Sequence, residues 1–555
     1  MPAQENDSAL VSGDSPARLA VDLRRFPWIR RLATDYAYHF DAVAPFFSGD
    51  PADARAWSEV IQATQHQPRS RAEMARVIAA QQDRRGAPEA ARLAGRRLSD
   101  GRTVAVVTGQ QAGLFGGPLF TLLKALTALK LADRVAHEHN VPAVAVFWID
   151  AEDHDWDEVR SCTVFDDALA PRTVMLQART GDDPAPVASV RLDASIVAAL
   201  DELEGILPDG EFRPDVLAML REAYVPGRGM ADAFGAWIER VLGSRGLIVY
   251  DSADPAAKPL ASRVFARELA APGETARRAA RAGSDLVSRG YHSQVHAQHD
   301  TLALFHLHPG RRSIKQQDGH VVIGEDRLTL AALQHEAVAR PQGFSPNVLL
   351  RPIVQDTLFP TICYVAGPNE LAYLGQLRGV YEHFGVPMPL MYPRATVTLV
   401  DSAALRFLTK YDIALESLQA QDEAALNALL ATQIPDEVEQ VFAGAGQVID
   451  REMARVIEAI PGVDPTLENT ARSTLGRMQH DLHTLHNKMI SAAKRRDETL
   501  RRQFMRTQAL AFPGGHAQER TIGFISFLSR YGPSLVDRLD AELPLDLGQH
   551  WILTI

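Results

Sequence analysis

Cysteine is nearly absent from this 555-residue chain: only Cys162 and Cys363 occur, 201 positions apart. A disulfide framework and a cysteine zinc cluster are thereby excluded, and the usage fits a reducing cytoplasm. No run of about 18 apolar residues exists, so no membrane span is expected. The N-terminal MPAQENDSALVSGDSP has no apolar signal core and reads as a disordered leader over 1–16. A basic balance is also missing. Lys and Arg total 58 against 69 Asp and Glu, a formal net charge of −11, which argues against a nucleic-acid binder. No repeat of 20–50 residues is visible. What is present is an ordinary globular composition, 46 % hydrophobic, in a chain long enough for roughly two to four domains.

The most informative stretch runs from 103 to 158, TVAVVTGQQAGLFGGPLFTLLKALTALKLADRVAHEHNVPAVAVFWIDAEDHDWDE. Two β-branched apolar runs (104–107 and 144–149) flank an amphipathic segment of helical length, which predicts a β–α–β unit. Both strands end in polar residues. In a parallel α/β sheet ligands bind at the carboxyl ends of the strands, so both clusters point at one place. GLIVYD (246–251) repeats the pattern of apolar run then carboxylate and is expected as a further parallel strand.

TGQQAGLFGGP (108–118) is neither a Walker A loop nor G-x-G-x-x-G. Its glycines (Gly109, Gly113, Gly116 and Gly117) allow close backbone approach, and Pro118 suits the first turn of a helix whose free N–H groups favour an anion. Thr108, Gln110 and Gln111 are candidate ligand contacts; Lys124 could turn inward to a phosphate, but the solvated side of the helix is its expected place. The run Asp150, Glu152, Asp153, His154, Asp155, Asp157 and Glu158 crowds carboxylates whose repulsion raises some pKa values unless a cation is near. General base, ammonium recognition and oxygen ligation of a metal are its candidate roles. No second histidine stands at ligand spacing, and no residue is assigned as a metal ligand. CYVAGPNELAYLGQL (363–377) offers Asn369 as a helix cap or contact, Glu370 in the first turn, and Tyr373 and Gln376 one turn apart. Arg351 and Gln355 stand upstream as anion and polar candidates. The cysteines carry no local nucleophile signature.

Elsewhere, 17–100 reads as mostly helical. RTVMLQA and SVRLD are strand candidates, and TLALFHL and HVVIGED suggest a mainly antiparallel insertion over 275–345. Ala471, Leu475, Met478, Leu482, Leu485, Met489 and Ala492 are spaced 4-3-4-3-4-3, a heptad seam. With an earlier helix at about 436–460 they could form an antiparallel hairpin or pair with another subunit. The basic run 488–506 and His480, His483 and His486 are expected on the solvated face. The domains expected are a core over 17–395, with insertions at about 160–245 and 255–345, a helical coiled coil over 396–510, and a tail over 511–555 docking on the core.

TGQQAGLFGGPLFTLLKA, VFWIDAEDHDWDE, FSPNVLLRPIVQDTLFPTICYVAGPNELAY and AFPGGHAQERTIGFISFLSRYG together resemble the bacillithiol-biosynthesis cysteine-adding enzymes, the BshC family, from about residue 25 onward. Asp150-Ala151 departs from the small residue and Gly the family often carries there. The resemblance implies a Rossmann-like core related to class I aminoacyl-tRNA synthetases, with connecting-peptide insertions and a coiled-coil domain. It implies an amide-forming ligase that adds L-cysteine to glucosaminyl-malate with carboxyl activation by ATP, releasing ADP or AMP, and with Mg²⁺. His154 is then expected as general base or as a stabiliser of the pentavalent phosphorus, with Glu152, Asp153 and Asp155 binding the amines or Mg²⁺, and a homodimer is expected through the coiled coil. HIGH and KMSKS are absent. The residues by themselves also admit a nucleotide-sugar transferase, a nucleotidyltransferase or a non-catalytic nucleotide-binding coiled-coil protein.

Overall fold

The computed structural model describes residues 18–178, 185–296, 300–307, 310–317, 320–432, 436–496 and 498–555. The leader expected over 1–16 lies outside them. Two compact units are distinguished. The first runs to Thr398 and takes in Gln518–Leu553, and the second spans Leu399–Ala517.

At the centre of the first unit is a five-stranded sheet of β1 (Val104–Gln110), β2 (Ala143–Ile149), β3 (Ile248–Asp251), β4 (Thr361–Ala366) and β5 (Leu390–Pro393). Every pairing is parallel and the spatial order is β3-β2-β1-β4-β5. This is the Rossmann-like arrangement, and its order reverses between β1 and β4. Its strands are almost wholly buried, which is why they read as unbroken apolar runs. Helix α1 (Leu119–His139) makes the crossover from β1 to β2 and ends where Asn140 takes a left-handed conformation, φ 52°. Helices α2 (Met230–Leu242) and α3 (Lys258–Ala270) flank β3. Helix α4 (Arg351–Leu358) leads into β4, and the short α5 (Glu370–Leu374) follows it.

A second five-stranded sheet lies between α3 and α4 in the chain. Thr301–His306, Arg312–Gln317, His320–Ile323, Asp326–Leu328 and Phe344–Pro346 pair antiparallel throughout. The expected strand at SVRLD does not form. Val187–Ser189 closes a 3-10 turn, Val190 N–H bonds back to Val187, and Arg191 keeps a single bridge to Gly229. The terminal strand Gln549–Thr554 pairs antiparallel with Arg18–Asp22.

In the second unit Asp436–Ala459 and Glu468–Arg496 pack antiparallel within one chain. Gln479 reaches Asp450 and His486 reaches Glu439, each at 2.8 Å. Among the described residues no helix is long and apolar enough to cross a membrane.

Candidate active site

The strand-order reversal opens a crevice of about 160 Å³ lined by Gly109, Gln110, Gln111, Trp148, Asp150, Val348, Arg351, Tyr364, Glu370 and Tyr373. The lining comes from the ends of β1, β2 and β4 and from α4 and α5, where a parallel sheet places ligands. A larger cavity of about 770 Å³ lies against the helix Glu274–Ser288, away from the strand ends. Several of its guanidiniums are engaged: Arg277 and Arg278 pair with Glu274, and Arg378 donates to the carbonyls of Ala44, Pro45 and Phe47. Chemistry is therefore sought in the smaller crevice.

Arg351 is the crevice's fixed cation. It is buried, donates to Gln355 Oε1 (3.0 Å) and Tyr373 Oη (3.2 Å), and lies 3.7 Å from Asp150. Its guanidinium stands 6.0 Å from the Trp148 ring and 5.7 Å from the Tyr364 ring. Gln355 does not line the crevice. It is buried behind Arg351 and passes its amide to Asp356, whose other oxygen takes Tyr381 Oη at 2.5 Å. A planar cation held on two sides presents its remaining donors in one direction, which suits a carboxylate or phosphate.

Lys124 overturns the expectation of a solvated side chain. It is buried, and its ammonium touches Gly109 O (2.9 Å), Gln110 Oε1 (3.2 Å) and Glu370 Oε2 (2.7 Å). The first half of helix α1 is buried on nearly every face, Thr121 to Leu129 without a break, so a lysine at 124 has nowhere wet to go. Burial alone would raise the Glu370 carboxyl. Lys124, with the Gly367 N–H (2.5 Å) and Arg351, outweighs that and holds it below the ordinary range. Glu370 thus folds back on the N–H of the turn before it, and the cap expected of Asn369 does not form. Asn369 is exposed and makes no side-chain cap.

The glycine turn divides. Gly109 packs under Trp148, where an added Cβ would stand 2.9 Å from the carbonyl oxygen. Gly116, at φ 99°, has no room either, since a Cβ would meet the Phe524 ring at 2.4 Å. Gly113 and Gly117 line a separate cavity of about 290 Å³ with Cys162 and Arg520. The expected free helix N-terminus is partly occupied: Leu119 N–H donates to Ile522 O and Thr121 N–H to Pro118 O. Thr108 is buried and ties β1 to β4 through Val365 O (3.0 Å).

In the acidic loop, burial raises the Asp150 carboxyl even with Arg351 opposing it. Glu152 is turned inward and paired with Lys258, which also donates to Phe344 O (3.1 Å). Asp153 accepts from Gln111 Nε2 (2.5 Å) and from the His154 N–H (2.7 Å). His154 is half-exposed, and its Nδ1 meets Arg311 Nη1 at 3.1 Å. Asp155 caps the short helix Trp156–Val159 through Glu158 N–H and does not reach the crevice. Gln376 is also corrected. It is buried beyond the end of α5, where it bonds the backbone of Val295 and Ala279. Lys258 and Arg311 are therefore cations that the sequence reading did not name, and Lys124 one that it expected in solvent. Both cysteines are buried, with thiols pushed upward by desolvation.

Two family models match the chain. One is described as the N-terminal Rossmann-like domain of bacillithiol biosynthesis BshC, over residues 20–395. The other is its C-terminal coiled-coil domain, over 397–555. A relative from Salinibacter ruber is 33 % identical over 528 residues, covering 94 % of this chain and 96 % of that protein. One from Koribacter versatilis is 33 % identical with the same coverage, and one from Symbiobacterium thermophilum is 34 % identical over 83 % of this chain and 86 % of that protein. Each is named "Putative cysteine ligase BshC".

Proposed function

Because the chain belongs to the bacillithiol-biosynthesis BshC family, we propose that it is the ligase that joins L-cysteine, through its carboxyl group, to the amine of glucosaminyl-malate. The observation that carries this reading is the crevice itself, a small polar pocket at the strand-order reversal with a rigid guanidinium, Arg351, facing Asp150. Arg351 and Tyr373 anchor a carboxylate or phosphate. Glu370 and Asp150 supply negative charge for an ammonium group.

A carboxylate and an amine do not condense in water, so the acyl oxygen has to leave on a better group, which ATP supplies when bound. The Rossmann-like fold suits a nucleotide in general terms. Among the described residues no group of three or more His, Cys, Asp or Glu could hold a metal ion. Mg²⁺ would therefore arrive with the nucleotide and keep phosphate oxygens and water as its main ligands. Before attack, the acceptor ammonium must lose a proton. Asp150 fits that role, because its burial moves its carboxyl toward the operating pH while it still faces the crevice. The insertions in the Rossmann-like core support kinship with class I aminoacyl-tRNA synthetases. Exposed Val441, Val448 and Leu485 on the hairpin support a homodimer. A reducing cytoplasm is the proposed location, in keeping with two unpaired cysteines.

The test is a mass-spectrometric assay of purified protein with cysteine, glucosaminyl-malate, ATP and Mg²⁺. Bacillithiol should form, and Arg351→Gln should abolish it. No thiol product from folded protein and authentic acceptor would refute the reading.

A further inference from the structure

Arg311 immediately precedes the strand Arg312–Gln317 of the antiparallel sheet, and its side chain is turned toward the loop after β2. It is 9 % exposed. Nε donates to Ser345 Oγ at 3.3 Å, Nη2 donates to Pro346 O at 3.0 Å, and the guanidinium lies 3.9 Å over the Phe305 ring. These contacts fix the plane of the group and aim Nη1 at His154 Nδ1, 3.1 Å away. A guanidinium has donors only, so Nδ1 must accept. Neutral imidazole has one lone-pair nitrogen, and the ring proton is then on Nε2. Nε2 makes no hydrogen bond among the described residues, and the side chain is 46 % exposed. The competing partner is Asp153 Oδ1, 3.4 Å from the same Nδ1. That oxygen already accepts the His154 backbone N–H, and the other oxygen holds Gln111.

We propose that Arg311 is a positioning residue that fixes His154 as its Nε2–H tautomer, so that the imidazole serves substrate as a hydrogen-bond donor and not as a base. The inserted sheet thereby sets the chemistry of a residue on the core sheet. His154 does not line the crevice but stands at its edge, since Gln111, which lines it, bonds Asp153 beside His154. Resting on the ligase reading above, the acceptor is an oxygen of the activated carboxyl group, on which charge grows as the amine attacks. The Nε2 proton stays on the ring throughout. Proton removal from the amine belongs to Asp150, so the two roles fall on different residues.

Long-range ¹H–¹⁵N correlation on the full chain with ¹⁵N-histidine, at about pH 8 where ordinary imidazole is neutral, reads the tautomer directly. His154→Gln identifies the signal. The wild-type pattern should be protonated Nε2 with bare Nδ1. Arg311→Gln should give a mixture of both tautomers and lower kcat ~10²-fold with little change in KM. Arg311→Lys keeps a donor and the charge, should retain the Nε2–H form, and carries the comparison should Arg311→Gln not fold. A wild-type ring protonated on Nδ1, or an unchanged tautomer in Arg311→Gln, would overturn the proposal. The tautomer is read without substrate, so failure of the ligase assay would leave it standing.

Discussion

Replacing Lys124 with methionine should destabilise the first unit more than any exposed charge change. The ammonium sits 2.7 Å from Glu370 Oε2 with 4 % of the lysine side chain exposed. At an effective dielectric of ~20 that separation corresponds to an attraction of about 6 kcal/mol, against which the desolvation of both ions must be set. Removing one partner strands the other, at a cost of about 3–5 kcal/mol. Restoring neutrality with Lys124→Met/Glu370→Leu should recover most of it, because an apolar pair of similar volume leaves no stranded charge. All six tryptophans fall in the first unit, so denaturant unfolding followed by tryptophan fluorescence reads that unit alone. The pair also fixes a sign with pH. Glu370 is held below its ordinary value of 4.5, so the folded state binds its proton less readily than the unfolded chain does. Its contribution is full above that value and is lost as pH falls below it. A Lys124→Met variant within about 1 kcal/mol of wild type, typical of an exposed pair, would refute the buried-pair reasoning.

Asp150→Asn keeps the shape of the crevice and removes its proposed base, and should lower kcat by ~10²–10⁴-fold while circular dichroism is unchanged; near-normal turnover would remove Asp150 from the chemistry. His550 is buried against Glu519 and Arg394, and burial pushes its ring down to about 4. The unfolded chain then binds the proton first, so this ring should cost about 3 kcal/mol of stability as pH drops from 6.5 to 4, and His550→Gln should flatten the slope above pH 4.5, where Glu370 does not contribute. Cys162, with its thiol pushed up to about 12, and the equally buried Cys363 should resist Ellman's reagent in the native protein and react on denaturation. Stoichiometric labelling of the native chain would contradict that.

The crevice was legible in the sequence because it lies at strand ends, and period and run length locate those: the 104–107 and 144–149 runs became β1 and β2 in parallel register. GLIVYD became β3, and the heptad seam became one arm of a helical hairpin. Tyr373 and Glu370 could be named as candidates because they follow a turn signal after a buried strand, and Arg351 because it stands just upstream of that strand. The partners of the charges could not. Lys124, Lys258 and Arg311 are single long cations, and each meets its partner only after a chain excursion that no local pattern encodes. One signal was available for Lys124, since Leu122, Leu123, Ala125 and Leu126 leave it no polar face. Another was available for Asp155, because Asp155 followed by Glu158 is an N-terminal capping pattern, and the structure uses it so. Gln376 failed for a physical reason. Three-residue spacing from Tyr373 implies a shared face only while the helix continues, and α5 ends at Leu374.

The most direct measurement of the central claim uses cysteine labelled with ¹⁸O in both carboxylate oxygens, with glucosaminyl-malate, ATP and Mg²⁺. If the carboxyl is activated and then taken by the amine, bacillithiol keeps one labelled oxygen and the other leaves on AMP or phosphate, which also names the activated intermediate. Bacillithiol accompanied by label-free AMP and phosphate would contradict ATP-driven activation, and no bacillithiol at all would contradict the ligase assignment itself.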